Sequence, residues 1–351
     1  MEIGAESAFD QYENPSTVMF TREEKSLSIW DRKVEARGTT YRLTCIRGAE
    51  MAPLVPLFRE TFRRRDFTLD WLQKKYACAY PGVEGFSCVA FTEAGKAVAS
   101  FGILPWPIRF GDLTEIAAQP VDAATHHEHR RRGLFTRLAQ MAREVCESAG
   151  ISFFFAFPHP QGDSYPGFIR HLGYEHIDDL MEYRLPIRTL WVERLARHVS
   201  PLSRQYGRHL RRTLSAYVPA DPILDNSLLL EGFAATHRDR AFYDYKSFAG
   251  SRVIAMDGGR VWLKVGRGLL VGDLEASSDA EMEATVRELR RLAVRLGVHQ
   301  ILFQSSKGTR FSRFFADRFQ PLPCLTVVYK NVCSQIPTAR LRFTFGDLDN
   351  F

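Results

Sequence analysis

The residues that could most readily do chemistry lie in the stretch Ala124–Phe135, ATHHEHRRRGLF. Its three histidines and one glutamate could ligate a metal ion, and its three consecutive arginines could bind nucleic acid. The arginines together with the glycine that follows could instead bind a phosphate group. Each interpretation implies a different function, so the elements around the stretch have to decide among them.

The metal interpretation is weakened by the spacing of the possible ligands. His126, His127, Glu128 and His129 are consecutive, whereas zinc ligands usually converge from separated positions. We expect adjacent side chains in an extended loop to point apart, and the arginines that follow repel a dication. The sequence therefore predicts that this stretch is not a metal site.

The nucleic-acid interpretation lacks the features that usually accompany it. Three arginines make only a short basic patch, and no aromatic platform, zinc finger or helix-turn-helix pattern lies nearby. The formal net charge of +6 and a pI of about 9.0 fit an anionic ligand without requiring nucleic acid. We therefore predict no nucleic-acid partner.

A phosphate site agrees with the elements on either side of the stretch. A strand, TEIAAQPVDAAT, precedes it, and an amphipathic helix, RGLFTRLAQMAREVCESAG, follows it. The first N–H groups of a helix have no intrahelical partners and bind anions. Gly133 lets the backbone approach closely, and the arginines at 130–132 are unfavourable at that helix end unless an anion is bound. The sequence predicts a diphosphate site here.

The second half of the chain repeats the order of elements seen in the first. In each half an amphipathic helix, a glycine, an apolar strand, a polar turn, a short helix and a strand follow one another. Gly150 corresponds to Gly297, and the pair Asp70-Trp71 corresponds to Asp244-Tyr245. We interpret the halves as two copies of one α+β domain, with chance similarity of two mixed halves as the alternative.

The predicted organisation has five parts. They are an N-terminal arm over 1–38, a catalytic domain over 39–186, a basic helical linker over 187–222, a degenerate second domain over 223–333 and a C-terminal tail over 334–351. The linker is predicted to form two short helices. Its arginines between 188 and 212 could bind weakly to an anionic membrane surface, or form the solvated face of a packed segment.

Composition places the chain among ordinary globular proteins of reducing compartments. It has 351 residues, 45% of them hydrophobic, and its six cysteines form no CxxC pair. The N-terminal segment is acidic without an apolar signal-peptide core, and the longest apolar runs are too short to span a membrane. We expect buried thiols and a cytoplasmic protein. The sequence does not indicate its oligomeric state.

The stretch DAATHHEHRRRGLFTRLAQMA resembles the signature of the GCN5-related N-acetyltransferases (GNAT). In that family a strand leads into an Arg/Gln-x-x-Gly-x-Gly/Ala loop and a helix, and Arg130, Gly133 and Phe135 occupy those positions. Phe135 departs from the family, which has Gly or Ala there. The later SYPGFIRHLGYEHI, with Leu172-Gly173-Tyr174, resembles a second family motif.

The resemblance implies a fold, a cosubstrate and a donor site. The fold is α+β, with two GNAT-like domains, each a mixed, mostly antiparallel sheet flanked by helices. The cosubstrate is acetyl-CoA, whose pyrophosphate binds the loop amides and whose pantetheine pairs with the strand end at Ala123–Thr125. The donor-binding residues are Ala123, Ala124, Thr125, Arg130, Arg131, Arg132, Gly133, Leu134, Phe135, Thr136 and Ser164.

The catalytic groups are less clear from the resemblance. The family often has a tyrosine four residues before the glycine of its later motif, but that residue is Ile169 here. Tyr165 lies one helical turn earlier and could protonate the departing CoA thiolate. It could also only pack, with no side chain supplying that proton. Asp122, Glu115 and His126 are the candidate bases, although each carboxylate could simply lie in solvent.

The implied reaction is acetyl transfer to an amine by direct attack. An amino sugar of a cell-surface polysaccharide or natural-product pathway is one candidate acceptor, and Trp71 and Trp106 could stack on it or pack in the interior. The second half lacks a basic glycine loop before its helix, which predicts a degenerate domain. Two alternatives remain open: a non-catalytic acyl-CoA-binding protein, and a tRNA-dependent aminoacyl-transferase of the related tandem group.

Overall fold

The computed structural model describes residues 30–64, 66–78, 84–189 and 200–351. Within these ranges the chain has the predicted α+β composition and is organised around one large mixed sheet. None of the helices in these ranges combines the length and the apolar character needed to cross a bilayer.

The first half of the chain follows the predicted order of strands and helices. Its elements are β1 (Arg32–Ala36), β2 (Thr39–Ile46), α1 (Leu54–Thr61), α2 (Leu69–Tyr76), β3 (Phe86–Thr92), β4 (Ala97–Phe110), β5 (Leu113–Thr125), α3 (Leu134–Ser148), β6 (Phe153–Ala156), α4 (Ser164–Pro166) and β7 (Glu175–Pro186). Helix α4 continues as a π-helical turn over Gly167–His171. The predicted apolar face of α3 is buried, and Gly150 follows its end with a φ of 78°.

The second half contains a similar series. Its elements are α5 (Ser200–Ser215), α6 (Ser227–Leu230), β8 (Ala235–Thr236), α7 (Arg240–Lys246), β9 (Arg252–Met256), β10 (Gly259–Val265), β11 (Leu269–Leu274), α8 (Asp279–Leu296), β12 (Gln300–Ser306), α9 (Arg310–Ala316) and β13 (Leu322–Asn331). Two parallel strand pairs, β5 with β6 and β11 with β12, occupy equivalent places in the two halves. This equivalence agrees with the repeat seen in the sequence.

The two halves exchange their last strands. The sheet runs β1-β2-β3-β4-β5-β6-β13-β7-β12-β11-β10-β9, and β8 pairs with β4. Strand β13 of the second half therefore lies beside β6 of the first, and β7 of the first half lies beside β12 of the second. Strands β7 and β13 pair with each other, antiparallel, at the centre. Each half needs the other to complete its sheet.

The hydrophobic core follows the same exchange. Residues of β7, including Met181 and Tyr183, pack with α8 and α9 in the core of the second half. Val328 of β13 packs with α3 in the core of the first half. A further apolar cluster joins α1 and α2 to Trp262 and the C-terminal residues. Each of the three apolar clusters thus contains residues from both sequence repeats.

Two predicted boundaries need correction. Residues 1–38 were assigned to a loose arm, but Arg32–Ala36 forms a strand paired with β2, and Arg37 and Gly38 make the turn between them with positive φ. Residues 1–29 of that arm lie outside the described residues. The segment 334–351 was assigned to a tail, yet Phe343 and Phe351 are fully buried. Aromatic residues at the end of the chain are therefore part of the core.

The basic linker is partly described. One of its two predicted helices is α5, and the other falls on residues 190–199, outside the described residues. Helix α5 packs on the end of α8: the Tyr206 hydroxyl donates to the carbonyl of Leu296 at 2.9 Å, and Leu214 is buried. Its arginines 204, 208, 211 and 212 are exposed. This is the packed segment with a solvated face that the sequence left open as one alternative.

Candidate functional site

A gap opens in the sheet where β5 and β6 separate. The two strands pair only where Ala117 and Ala118 lie opposite Phe153 and Phe154. Strand β5 continues to Thr125, whereas β6 ends at Ala156. The backbone groups of β5 beyond Ala118 on that side are thus open to a ligand, which can pair with them as an added strand would.

A bulge at Asp122 bends β5 beside this gap. The register against β4 shifts there, since Gly102 pairs with Val121 and Ser100 with Ala124. Asp122 has a φ of 48°, in the left-handed region that is unfavourable for most residues. The Ser100 hydroxyl donates to its carbonyl at 2.9 Å, which helps to hold this conformation. Such bulges redirect side chains near functional sites.

The Asp122 carboxylate, a predicted base, lies in a buried ionic cluster. The Lys75 ammonium donates to its two oxygens at 2.9 and 2.8 Å, and the Tyr76 hydroxyl donates at 2.9 Å. Lys75 also binds Asp349 at 2.6 Å and is itself 1% exposed. Burial pulls the pKa of Lys75 down, but the charges of Asp122 and Asp349 outweigh it and raise that pKa above its usual value. Three hydrogen bonds fix the Asp122 carboxylate on the bulge.

The loop between β5 and α3 has the backbone that an anion site requires. Arg131 and Gly133 both have positive φ, 59° and 71°, and Gly133 directly precedes the helix. Left-handed residues in such a loop turn successive N–H groups toward one side, forming an anion-binding concavity. The N-terminal N–H groups of α3 add the positive end of a fifteen-residue helix.

The three arginines of the loop have different positions. Arg130 is exposed and lines a groove beside the loop, and its Nε lies 3.4 Å from the carbonyl of Thr125. Arg132 donates to the hydroxyl of Thr39 in β2 at 2.6 Å and to the carbonyl of Glu128. Among the predicted donor-site arginines, the structure brings Arg130 to the groove and directs Arg132 toward β2.

The groove has a volume of about 380 Å³ and collects many of the predicted donor-binding residues. It is lined by Thr61, Phe62, Ala123, Ala124, Thr125, Arg130, Phe135, Asp163 and Ser164. Leu134 is the first residue of α3 and its side chain is buried, so only its backbone can face a ligand. Thr136 is half-buried and is not part of the lining. Thr61 and Phe62, at the end of α1, are groove residues that the sequence did not suggest.

The departure at Phe135 is accommodated by a glycine in the second motif. The Phe135 ring packs edge-on against Phe101 and Phe168, with centroids 5.6 and 5.8 Å apart. A Cβ placed on Gly167 would lie 2.8 Å from the ring. The absence of a side chain at 167 therefore provides the space that the larger residue at 135 needs.

Tyr165, the predicted acid, belongs to a short polar chain next to the groove. Its hydroxyl lies 3.3 Å from Nδ1 of His176, whose Nε2 lies 3.0 Å from Asp179. Asp179 also accepts from Lys307 at 2.8 Å. Burial raises the pKa of Asp179, but the hydrogen bonds and charges of Lys307 and His176 together outweigh it and lower the pKa overall. Ile169 is half-buried in the apolar cluster under α3.

The other two candidate bases are directed elsewhere. Glu115 lies seven residues before Asp122 on β5, about 23 Å away at 3.3 Å per residue. One of its carboxylate oxygens accepts the N–H of Gln335 at 2.8 Å. His126 is 3% exposed, and its Nε2 lies 2.7 Å from Glu60 of α1. The structure thus does not bring Glu115 to the groove.

The expected divergence of adjacent histidines is wrong. The rings of His126 and His127 lie 4.5 Å apart, and His127 Nδ1 lies 3.6 Å from the carboxylate oxygen of Glu60 that His126 contacts. Ligand atoms of these three residues lie within 4.8 Å of one another. The backbone turn over His127–His129 brings the side chains together.

Sequence reasoning missed the lysines and acids that surround the Asp122 cluster. Lys246 is fully buried and donates to the carbonyl of Leu348 at 2.6 Å, and burial lowers its pKa to about 7. The repeat gave only a weak signal, since Lys246 directly follows Asp244-Tyr245 but Lys75 lies four residues after Trp71. Asp349 gave no signal, because its contact with Lys75 spans 274 positions of the chain.

A larger cleft of about 670 Å³ lies between the two halves. Trp71 is part of its lining. Trp106 instead packs in the interior, the alternative that the sequence left open: it is 2% exposed and contacts Phe242 and Tyr245. Its indole N–H donates to Gln119 at 2.7 Å, so its polar atom is already paired.

The equivalent helix start in the second half differs in charge and capping. The Ser278 hydroxyl accepts the N–H of Glu281, and Asp279 and Glu281 lie in the first turn of α8. A pocket of about 280 Å³ beside this turn is lined by three acids, Asp225, Glu231 and Glu275, and by one arginine, Arg310. Acidic groups and a self-capped helix start do not suit a phosphate.

Comparison with known proteins agrees with this geometry. Residues 46–177 match the family described as the acetyltransferase (GNAT) domain. No curated protein matches the chain in sequence. The fold resembles a conserved protein of Enterococcus faecalis V583, with a TM-score of 0.56, 14% identity, and 84% of this chain and 73% of that one covered.

Two solved GCN5-related N-acetyltransferases show the same likeness. The one from Anabaena variabilis gives a TM-score of 0.52 at 12% identity, and the one from Kribbella flavida gives 0.50 at 14%. Each comparison covers 82% of this chain and 72% of the other. The likeness therefore extends beyond residues 46–177 into the second half, where it concerns the fold alone. Residues 46–177 thus match the acetyltransferase (GNAT) domain family, and the fold around them resembles that of solved GCN5-related N-acetyltransferases.

Proposed function

We propose that the chain transfers an acetyl group from acetyl-CoA to an amine held in the cleft between its halves. Residues 39–186 supply the donor site, and residues 223–333 form a degenerate domain whose role is to complete the sheet and one wall of the cleft. The groove beside Gly133 is the observation that carries this proposal. It combines the start of helix α3, whose N–H groups can bind a diphosphate, with the open edge of β5, whose backbone can pair with an amide-containing arm. Acetyl-CoA has both of these parts.

Each part of the donor has a counterpart in the groove. The pyrophosphate is assigned to the N–H groups around Gly133, with the exposed Arg130 beside them. The pantetheine arm is assigned to the open edge of β5 at Ala123–Thr125. Phe135 and Ser164 form other parts of the lining. The thioester then lies at the gap where β5 and β6 separate.

The reaction is a direct displacement at the thioester carbonyl. The neutral amine attacks the carbonyl carbon, a C–N bond forms, the C–S bond breaks, and CoA leaves as a thiolate. The amine loses one proton and the thiolate gains one. We propose that Tyr165 donates the proton that the thiolate gains. His176 and Asp179 continue the polar chain from the Tyr165 hydroxyl. The carboxylate oxygens of Asp122 already accept hydrogen bonds from Lys75 and Tyr76, so we assign Asp122 to holding the bulge. We therefore assign removal of the amine proton to water.

An amino sugar is the acceptor that Trp71 favours. Its ring lies in the cleft lining, where an exposed aromatic face can stack on a sugar. The ammonium of Lys75 lies 5.2 Å from the centre of the Trp71 ring, and so connects the cleft to Asp122 on the bulge. We further propose that this amino sugar belongs to a cell-surface polysaccharide or natural-product pathway, and that the transferred group is acetyl.

The substitution Gly133→Glu tests the donor site. We expect acetyl-CoA binding to be lost, because a carboxylate beside the loop N–H groups repels phosphate and a side chain is strained at a φ of 71°. Isothermal titration calorimetry measures the affinity. Gly150→Glu is the matched control: Gly150 has a φ of 78° at the other end of α3, and a Cβ there also meets no atom within 4 Å. Unchanged affinity in Gly133→Glu would refute the assignment.

One observation favours a non-catalytic acyl-CoA-binding protein instead. Ile169, at the usual position of the acid, is half-buried among apolar residues and cannot donate a proton. Tight acetyl-CoA binding without turnover across a broad panel of amines would support this second function. Turnover with any amine would exclude it.

A further inference from the structure

The cleft between the halves has a basic end that the donor site does not explain. Arg184 of β7 and Arg267 of the β10–β11 turn both line it and both bind Glu182, at 2.6 and 2.8 Å. Glu182 is 2% exposed, whereas each arginine side chain is 57% exposed. Two cations thus share one buried carboxylate, and one positive charge at this end of the cleft is uncompensated.

Other cations extend this charge along the cleft. The Lys264 ammonium lines it and donates to the main-chain carbonyl of Asn350, a neutral acceptor that leaves the charge of the lysine uncancelled. Burial lowers the pKa of Lys264 to about 8, so an anion placed beside it would favour its charged form. Arg64 also lines the cleft, but it is paired with Asp66 at 2.6 Å.

A buried acceptor atom gives a second, independent sign of a ligand at the same end. Gln304 is 3% exposed and belongs to the cleft lining. Its amide nitrogen donates to Glu182 at 2.7 Å, which fixes the orientation of the amide. Its carbonyl oxygen has no hydrogen-bond partner among the described residues. Leaving a buried acceptor unpaired is unfavourable, and a hydroxyl or N–H of a ligand would relieve it.

The basic end is well separated from the gap where the thioester is assigned. His159, which follows β6 by three residues, and Gln304 of β12 both line the cleft. Three strand spacings, across β13 and β7, separate β6 from β12. At 4.8 Å each, this is about 14 Å. An acceptor that reaches from β6 to the residues of β12 must be elongated.

We propose that the acceptor is an elongated amine that carries an acidic group, a phosphate or a carboxylate, roughly 14 Å from the reacting nitrogen. The acidic group binds Arg184 and Arg267, with Lys264 nearby. A hydroxyl or N–H next to it donates to Gln304, and the amine reaches the gap between β5 and β6. This inference rests on the proposed function, because it assigns the acceptor of the same reaction.

Matched peptides test the acidic group. Gly-Gly-Gly-Glu amide, Gly-Gly-Gly-phosphoserine amide and Gly-Gly-Gly-Gln amide place a carboxylate, a phosphate or a neutral amide at about the required distance from a free amine. Acetylation and calorimetric binding are measured in the full-length protein, with CoA saturating the phosphate loop in the binding experiment. We expect at least one acidic peptide to show about tenfold higher kcat/KM and affinity than the Gln peptide.

Substitutions locate the effect in the cleft. Arg184→Gln and Arg267→Gln should each raise the KM and Kd of the preferred acidic peptide about tenfold, while kcat and the Gln peptide change little. Arg291→Gln, on the exposed face of α8, is the control and should change neither. Whether the carboxylate or the phosphate peptide binds better identifies the source of the charge.

The outcomes separate this inference from the proposed function. Equal behaviour of the three peptides in both binding and turnover, or no loss in the arginine variants, would overturn the acidic acceptor. If none of the peptides binds at millimolar concentration, the inference is also overturned. Failure of the wild-type protein to bind acetyl-CoA would instead refute the proposed function, and that affinity is measured separately.

Discussion

At the scale of single residues, the candidate site depends on Asp122 being held in an unfavourable backbone conformation. Its φ of 48° is maintained by Ser100 at the carbonyl and by Lys75 and Tyr76 at the carboxylate. Lys75 lies between Asp122 and Asp349 and has almost no contact with solvent. A positioning role for this cluster explains why a residue predicted as a base has its oxygens occupied.

The substitution Lys75→Met should destabilise the protein strongly. Removing the ammonium leaves two carboxylates partly buried without a cation, which typically costs about 3–5 kcal/mol of unfolding free energy. Urea unfolding followed by circular dichroism measures the loss. Lys74→Met is the control, since Lys74 is exposed and pairs only along the helix with Asp70, an interaction worth about 0.5 kcal/mol. Similar stability of the two variants would contradict a structural role for the cluster.

The substitution Tyr165→Phe tests the assigned acid. We expect kcat to fall about 100-fold, because the thiolate would leave unprotonated, with little change in KM for acetyl-CoA. Steady-state kinetics with a good amine acceptor measures both constants. Tyr217→Phe removes a hydroxyl that binds Arg295, far from the groove, and serves as the control. An unchanged kcat in Tyr165→Phe would show that the tyrosine only packs.

At the scale of elements, the proposed donor site depends on how α3 and the π-helical turn fit together. Phe135 in the first turn of α3 fills the space above Gly167, so the two motifs of the family are coupled through one ring. A smaller residue at 135 would permit a side chain at 167. The large side chain of Phe135 is therefore accommodated by Gly167, which lies 32 positions later in the chain.

A double-mutant cycle tests this coupling. Gly167→Ala alone should destabilise the protein by about 1–3 kcal/mol, because its Cβ would lie 2.8 Å from the Phe135 ring. In a Phe135→Ala background the same change should be neutral or stabilise by up to about 1 kcal/mol, since alanine favours a helix more than glycine does. Thermal unfolding of the four proteins measures the cycle. Equal effects in both backgrounds would show that the two residues are independent.

At the scale of the whole molecule, the exchange of β7 and β13 makes the two halves one cooperative structure. The C-terminal segment adds to this, since Arg238 is fully buried and binds Asp273 of β11 at 2.5 Å and Asp347 at 2.8 Å. The charges of both carboxylates outweigh burial and raise the pKa of Arg238 above its usual value. Neither half retains a complete sheet or core without the other.

We therefore expect a single unfolding transition for the full chain. The tryptophan fluorescence and the far-ultraviolet circular dichroism should change at the same urea concentration, because the loss of either half removes a central strand from the other. A chain that stops at residue 186 should fail to fold, since β7 would then lack both β12 and β13. Two separate transitions would show that the halves are independent domains.

The sequence alone was sufficient for the local features. The helical period of α3, Gly133 before its first turn and the repeated order of elements depend on neighbouring residues, and each was predicted where the structure places it. The family resemblance likewise rested on Arg130 and Gly133, which the fold and the family match support. The groove residues from Ala123 to Thr125 follow from the same short segment.

Only the tertiary structure decided which distant residues meet. The exchange of β7 and β13, the contact of Asp349 with Lys75 and the pairing of Arg184 and Arg267 with Glu182 join positions far apart in the chain. Periodicity and spacing carry no information about such contacts, because these are fixed by the packing of apolar faces and by the need to pair buried charges. The loop and strand end that form the proposed donor site are local features, so their residues could be named from the sequence, whereas the proposed acceptor cleft exists only where the two halves fold together.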